Sequence, residues 1–128
     1  GDSLMAVSLV AIASNDQITS VGFDDGDPVD LLYTSTGGTT QINQITVTVS
    51  ATTPLWVAFW ILPSGGSAAG IKPVWAQSCT AAGIVDSLYG TTIISGLLGQ
   101  IIPAGGTLSV AAGVTNVGYV TASGIKVT

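Results

Sequence analysis

Residues Gln41 to Gly66, QINQITVTVSATTPLWVAFWILPSGG, decide how this chain folds. Ile45, Val47 and Val49 alternate with Thr46 and Thr48. After a polar break from Ser50 to Pro54, Leu55, Val57, Phe59 and Ile61 form a second alternating set. A period of two in β-branched and aromatic residues, on both sides of a break containing Pro, predicts two paired β-strands. The second run differs from the first because its opposite face, Trp56, Ala58, Trp60 and Leu62, is apolar as well. A strand apolar on both faces must be covered on both, by the rest of the fold or by another chain.

Toward the N-terminus, Gly37-Gly38 reads as a turn, Leu31 to Thr34 as a strand and Ile18 to Val21 as a short strand. Between the last two lies the acidic, turn-rich loop GFDDGDPVD, Gly22 to Asp30. Residues Gly1 to Asn15 read as an arm or a first strand, with Val7, Leu9 and Ala11 on one parity and Val10 and Ile12 on the other. An arm of this kind is expected to be removable without unfolding the rest.

Toward the C-terminus, Ile71 to Ala76 reads as an edge strand because Pro73 donates no amide, and Ala81 to Leu88 as one helical turn. Thr91 to Ser95 and Leu98 to Ile102 read as short strands. After the turn at Pro103 to Gly106, Leu108 and Val110 point to the core. In the last strand, Val117 to Val127, the apolar parity slips at Gly124 as a bulge would cause. Many short strands with Gly turns and almost no helical pattern predict an all-β fold. The expected architecture is an antiparallel β-sandwich, jelly-roll-like or Ig-like, with a single domain over residues 16–128 and residues 1–15 as an N-terminal arm or extra strand.

The chain has 128 residues, enough to bury a core without disulfides or metal. Seven Asp and two Lys are its only charged side chains, with no Arg, Glu or His. Charged residues make up 7% against roughly 25% in ordinary soluble domains, so Ser, Thr, Asn, Gln and backbone must hydrate the surface. Such a surface suits assembly, because few charges need pairing at a contact. A net charge of −5 lacks the basic footprint of nucleic-acid binding and argues against docking on an anionic membrane. The longest apolar run, Leu55 to Leu62, is far below the ~20 residues of a membrane-spanning helix. Met5 to Ala13 is apolar and ends in Ala-Ile-Ala, but it lacks a basic flank and is not expected to be a signal peptide. Cys79 is alone and forms no internal disulfide.

Catalytic chemistry finds no complete set of residues. Gly1-Asp2-Ser3-Leu4 matches the nucleophile block of GDSL-type esterases, yet a serine nucleophile needs a base and the chain has no His. Cys79 lacks a His partner for the same reason, and Lys72, beside Pro73, has no recognisable partner. Only Asp86 lies outside the N-terminal quarter among the carboxylates, which disfavours an acid/base pair. The glycines between Ser64 and Gly70 lack the ending of a phosphate-binding loop. The chain is therefore not expected to be an enzyme.

Two groups remain as ligand candidates. Asp24, Asp25, Asp27 and Asp30 around Gly26 offer hard oxygen donors suited to calcium, while Asp and Gly are also what turns prefer. No other cofactor is expected. Trp56 and Trp60, roughly 13 Å apart along one strand face, have three readings: core packing, a subunit contact or a sugar-stacking platform. Trp75 fits any of them. With Val7 and Leu9, the three tryptophans are the candidate interface residues.

The order LYTSTGGTTQINQITVTVSATTPLWVAFWILPSGG, then IIPAGGTLSV, then VTASGIKV, resembles small β-sandwich virion accessory proteins of tailed bacteriophages. These are capsid decoration (cement) proteins or tail-associated modules. The resemblance spans Leu31 to Val127 and departs in the insert Gly70 to Leu88 and in the N-terminal arm. It implies a virion structural protein on the capsid surface, assembled in the host cytoplasm, partnering the major capsid protein or another virion protein and forming a homo-oligomer, expected to be a homotrimer. The alternative it leaves is a tail- or fibre-associated module that binds carbohydrate or a receptor.

Overall fold

A computed structural model describes residues 6–83 and 87–128. The chain is all-β, with two antiparallel sheets packed face to face. Its strands are β1 (Val7–Gln17), β2 (Asp30–Thr34), β3 (Thr39–Val49), β4 (Leu55–Leu62), β5 (Trp75–Cys79), β6 (Gly90–Ile93), β7 (Ile101–Ile102), β8 (Thr107–Ala112) and β9 (Gly118–Val127). One sheet runs β1-β9-β3-β6, with β7 also pairing β3; the other runs β2-β8-β4-β5. The chain crosses between sheets at nearly every connection, and this order is that of a double-sheet jelly roll.

The opening stretch forms the two strands expected, but they are not paired. β3 pairs β9, β6 and β7, whereas β4 pairs β8 and β5. Residues 50–54 cross from one sheet to the other, held by Ser50 N–H on Val117 O (2.9 Å) and Ala82 N–H on Ala51 O (2.7 Å). Ile45, Val47 and Val49 thus face Leu55, Val57 and Phe59 across one core. A period of two marks strands with a buried face, and it is the same whether the partner lies beside the strand or across the core.

The parity slip also has a different origin. The register shifts fall on the strands flanking Gly124, at Asn43 between Ile42 and Gln44 of β3, and at Ile12 between Ala11 and Ala13 of β1. A Cβ on Gly124 would stand 2.3 Å from the Gln41 carbonyl oxygen, so only Gly permits this approach. The bulge on β3 lets Ile42 and Ile45, three residues apart, enter the same core.

Val7 to Gln17 is the edge strand of the first sheet, paired along β9, and the division at residue 15 falls inside it. Of the Ile18 to Val21 segment only Val21 makes a bridge, to Ala112. The edge strand read at Ile71 to Ala76 begins instead at Trp75 and continues to Cys79, after Pro73. The helical turn read over Ala81 to Leu88 lies partly outside the described residues.

Candidate functional site

The doubly apolar strand β4 is covered by the chain itself except at Trp56. Its inner residues enter the main core, and its outer residues Ala58, Trp60 and Leu62 form a second cluster with Ala111. Two loops cover that cluster. Residues 63–74 contribute Ala68, and the acidic loop contributes Val29. Trp60 is only 4% exposed, and its indole N–H donates to the Ile71 carbonyl at 2.9 Å. The Gly70 amide donates to the Asp25 carboxylate and so ties one loop to the other.

Between these loops lies a cavity of about 150 Å³ whose lining includes Asp24, Asp25, Asp27, Trp60 and Lys72. Asp27 accepts the Asp24 amide at 2.9 Å. Asp30 stands apart from the other three. Its carboxylate accepts the amide and hydroxyl of Thr19 (2.6 and 2.9 Å) and of Ser20 (3.2 and 2.7 Å). Partial burial raises its pKa, but these four bonds outweigh that and hold it below the ordinary carboxylate value. Among the described residues no group of three Asp or Cys side chains is arranged to hold a metal ion. The carboxylates at positions 25, 27 and 30 accept hydrogen bonds within and between loops: Asp25 from Gly70, Asp27 from Asp24, and Asp30 from Thr19 and Ser20.

The three tryptophans occupy three environments. Trp56 is 57% exposed on the outer face of β4, beyond the loops that cover Trp60, so the two rings make no common platform. Trp75 pairs with Phe59 on the edge strand β5 and closes the sandwich edge against Gly96, where a Cβ would come within 2.2 Å of its ring. Its indole N–H donates to Gln77 Oε1 at 2.7 Å. Cys79 is buried, and burial pushes its thiol pKa up to about 11, far from a thiolate at neutral pH. Gly1 to Leu4 and Asp86 lie outside the described residues.

The outer face of the five-stranded sheet is built differently. Register places Leu9, Ile125, Gln41 and Ile101 in one row across the sheet, with Val7, Val127 and Thr39 beside them. Further along come Ser123 with Gln44, then Thr121, Thr46 and Ile93, then Gln17, Tyr119, Thr48 and Thr91. These rows contain neither Asp nor Lys. Val7 is 66% and Leu9 83% exposed, so the face has an apolar end. The Thr128 amide on Ala6 O (3.0 Å) fixes the phase of the β1–β9 ladder. Val7, Leu9 and Ala11 consequently turn their N–H and C=O groups away from β9, to an edge that no strand covers among the described residues.

At the opposite end of this face, Asn15, Thr48, Ser50, Tyr89 and Tyr119 line an open groove of about 330 Å³. Sequence reading singled out Val7 and Leu9 but missed their row partners Ile101, Ile125 and Val127, and it missed both tyrosines. The alternation Tyr119, Thr121, Ser123 was the available signal for Tyr119. Nothing local marks Tyr89.

No family model matches the chain, and no curated protein matches it. A search of solved structures finds similarity to a chain of the T13 IBDV viral particle, described as revealing a missing link in icosahedral virus evolution. The TM-score is 0.44 and the identity 12%, over 96% of this chain and 31% of that one. At that degree of likeness the match carries no inference about function.

Proposed function

We propose that this chain is a non-enzymatic virion structural protein, a decoration or cement protein that stabilises a tailed-phage shell by bridging neighbouring capsid subunits. The observation that carries the reading is the apolar end of the charge-free sheet face, where Val7, Leu9 and Ile101 are exposed beside Ile125 and Val127. The open β1 edge adjoins it. Burying these side chains desolvates no charge, and the backbone groups of Val7, Leu9 and Ala11, which face away from β9 and have no partner strand among the described residues, offer a template for an added strand. Attachment would stabilise the shell through added buried area, with no chemistry. The low charge content and the resemblance to phage accessory proteins point the same way, and jelly rolls recur in capsid architecture, an analogy of fold only. The assembled form we propose is a homotrimer at a lattice symmetry axis.

Residues 7–14 form most of β1, so deleting the N-terminal segment would strip β9 of a partner and is a poor test of attachment. The discriminating variant is Val7→Asp combined with Leu9→Asp. The double variant should melt like the parent and fail to bind undecorated shells in co-sedimentation. Parent-like binding by the folded variant would refute the assignment of this end as the docking surface. Sedimentation velocity of the free and shell-released protein reports whether it is trimeric.

A further inference from the structure

We infer that the groove between Tyr89 and Tyr119 is a binding site for an uncharged saccharide. The inference goes beyond the structural role proposed above and does not depend on it. The groove lies on the same sheet face as the apolar end but roughly 20 Å away, six residues along β9 from Ile125 at ~3.3 Å each. One end can be docked while the other stays open.

Three observations carry the assignment. First, among the described residues the lining is two phenols, an amide and two hydroxyls: Tyr89, Tyr119, Asn15, Thr48 and Ser50. Phenol rings supply apolar surface with a polar tip, and the amide and hydroxyls supply donors and acceptors without charge. A pyranose presents the matching surface, with C–H faces for the rings and hydroxyls at its rim. A phosphate or carboxylate ligand would find no cation here. The nearest acidic residue in sequence, Asp16, pairs with Val120 and is not part of the lining.

Second, Tyr119 is held in place. Gln17 Nε2 donates to its hydroxyl oxygen at 3.0 Å and to the Asn116 carbonyl at 3.2 Å. The phenol is thus oriented while its own proton remains available to a ligand. Third, Asn15 sits at a register irregularity of β1 between Ala13 and Asp16 and holds a left-handed backbone, φ 55°. Irregular strand backbone of this kind re-aims side chains and recurs next to binding sites. The volume falls at the low end of the roughly 300–1,000 Å³ seen for small-ligand sites, as a one- or two-ring sugar requires.

The test is an amide NMR titration of the full chain with the methyl glycosides of glucose, galactose, mannose and N-acetylglucosamine, alongside N-acetylneuraminic acid and glucosamine as charged probes. At least one neutral glycoside should shift the amides of Asn15, Thr48, Ser50, Tyr89 and Tyr119 saturably. Tyr89→Ala should weaken that binding by roughly tenfold, the scale of one lost aromatic contact. Asn15→Gly keeps the left-handed backbone accessible while removing the amide, and should weaken binding with no loss of melting temperature. Three results would overturn the inference: no shift at these amides with any neutral glycoside, a response to the charged probes alone, or a Tyr89→Ala variant that changes sedimentation without any sugar response. The last would make the groove a contact between copies. None of these results bears on shell binding by the Val7 and Leu9 end.

Discussion

The two outer faces of the sandwich solve the same problem, a surface with almost no charge, in opposite ways. On the four-stranded sheet the outer residues of β4 and β8 are Ala58, Trp60, Leu62 and Ala111, and the chain lays two loops over them. On the five-stranded sheet they are mostly Thr, Ser and Gln, which hydrate without help, and the face is left uncovered. The loop-covered part of the apolar outer face is therefore a second core, and Trp60 within it belongs to stability, whereas Trp56 on the same strand face stays exposed. A hydroxyl-rich face is stable as it stands, so the apolar and aromatic side chains placed at its two ends are free to meet a partner.

The largest effect that would break this contrast is expected at Trp60. Trp60→Ala should cost about 3–5 kcal/mol in denaturant unfolding, as for other buried aromatics, and should speed amide exchange across residues 63–74. If it costs no more than a surface substitution, the covered face is not a core. Trp60→Phe keeps most of the ring but loses the bond to the Ile71 carbonyl, and should cost about 0.5–1.5 kcal/mol.

Asp30 comes next. Asp30→Ala should cost roughly 1–2 kcal/mol, the value of charged hydrogen bonds discounted for a partly exposed carboxylate. Its pKa is lower in the folded chain than in the unfolded one. The contribution is thus complete above about pH 4, where the unfolded carboxyl is also ionised, and fades as pH falls through the folded value. The difference in melting temperature between the parent and Asp30→Asn should shrink in acid. A pH-independent difference would mean that the Thr19 and Ser20 bonds do not depend on the charge.

The smallest effects are expected on the open face. Thr46→Ala or Leu9→Asp should change stability by no more than about 0.5 kcal/mol, while Leu9→Asp weakens shell attachment. The sharper contrast lies within one strand, since Trp56→Ala should stay well below the cost of Trp60→Ala although only four residues separate them.

The strands themselves were legible because period-two patterns survive in β3, β4, β8 and β9. The sheet to which each belongs was not. The Ser50 to Pro54 break looks like a hairpin turn, and nothing in its five residues says that β3 and β4 face each other across the core. The bulges were misplaced for a related reason: Gly124 shows the parity change, but the extra residues sit on its neighbours. Among the site residues, Val7 and Leu9 show only an apolar alternation, which does not say which parity of β1 is buried; Val7 and Leu9 are exposed while Ile12 enters the core. That Trp60 is buried and Trp56 exposed depends on where the 63–74 loop returns, a tertiary fact. Tyr89 and Tyr119 meet only because β6 and β9 flank β3, and Asn15 joins them through an irregularity in β1.

The central claim is that the Val7, Leu9 and Ile101 end of the open face, with the β1 edge, is the docking surface. Electron cryomicroscopy of intact particles carrying this protein tests it most directly. The account predicts density on the shell with β1 and its row partners against neighbouring capsid subunits and the 63–74 loop away from that contact. A molecule attached through the loop-covered face of the four-stranded sheet, or one found only on the tail, would contradict it.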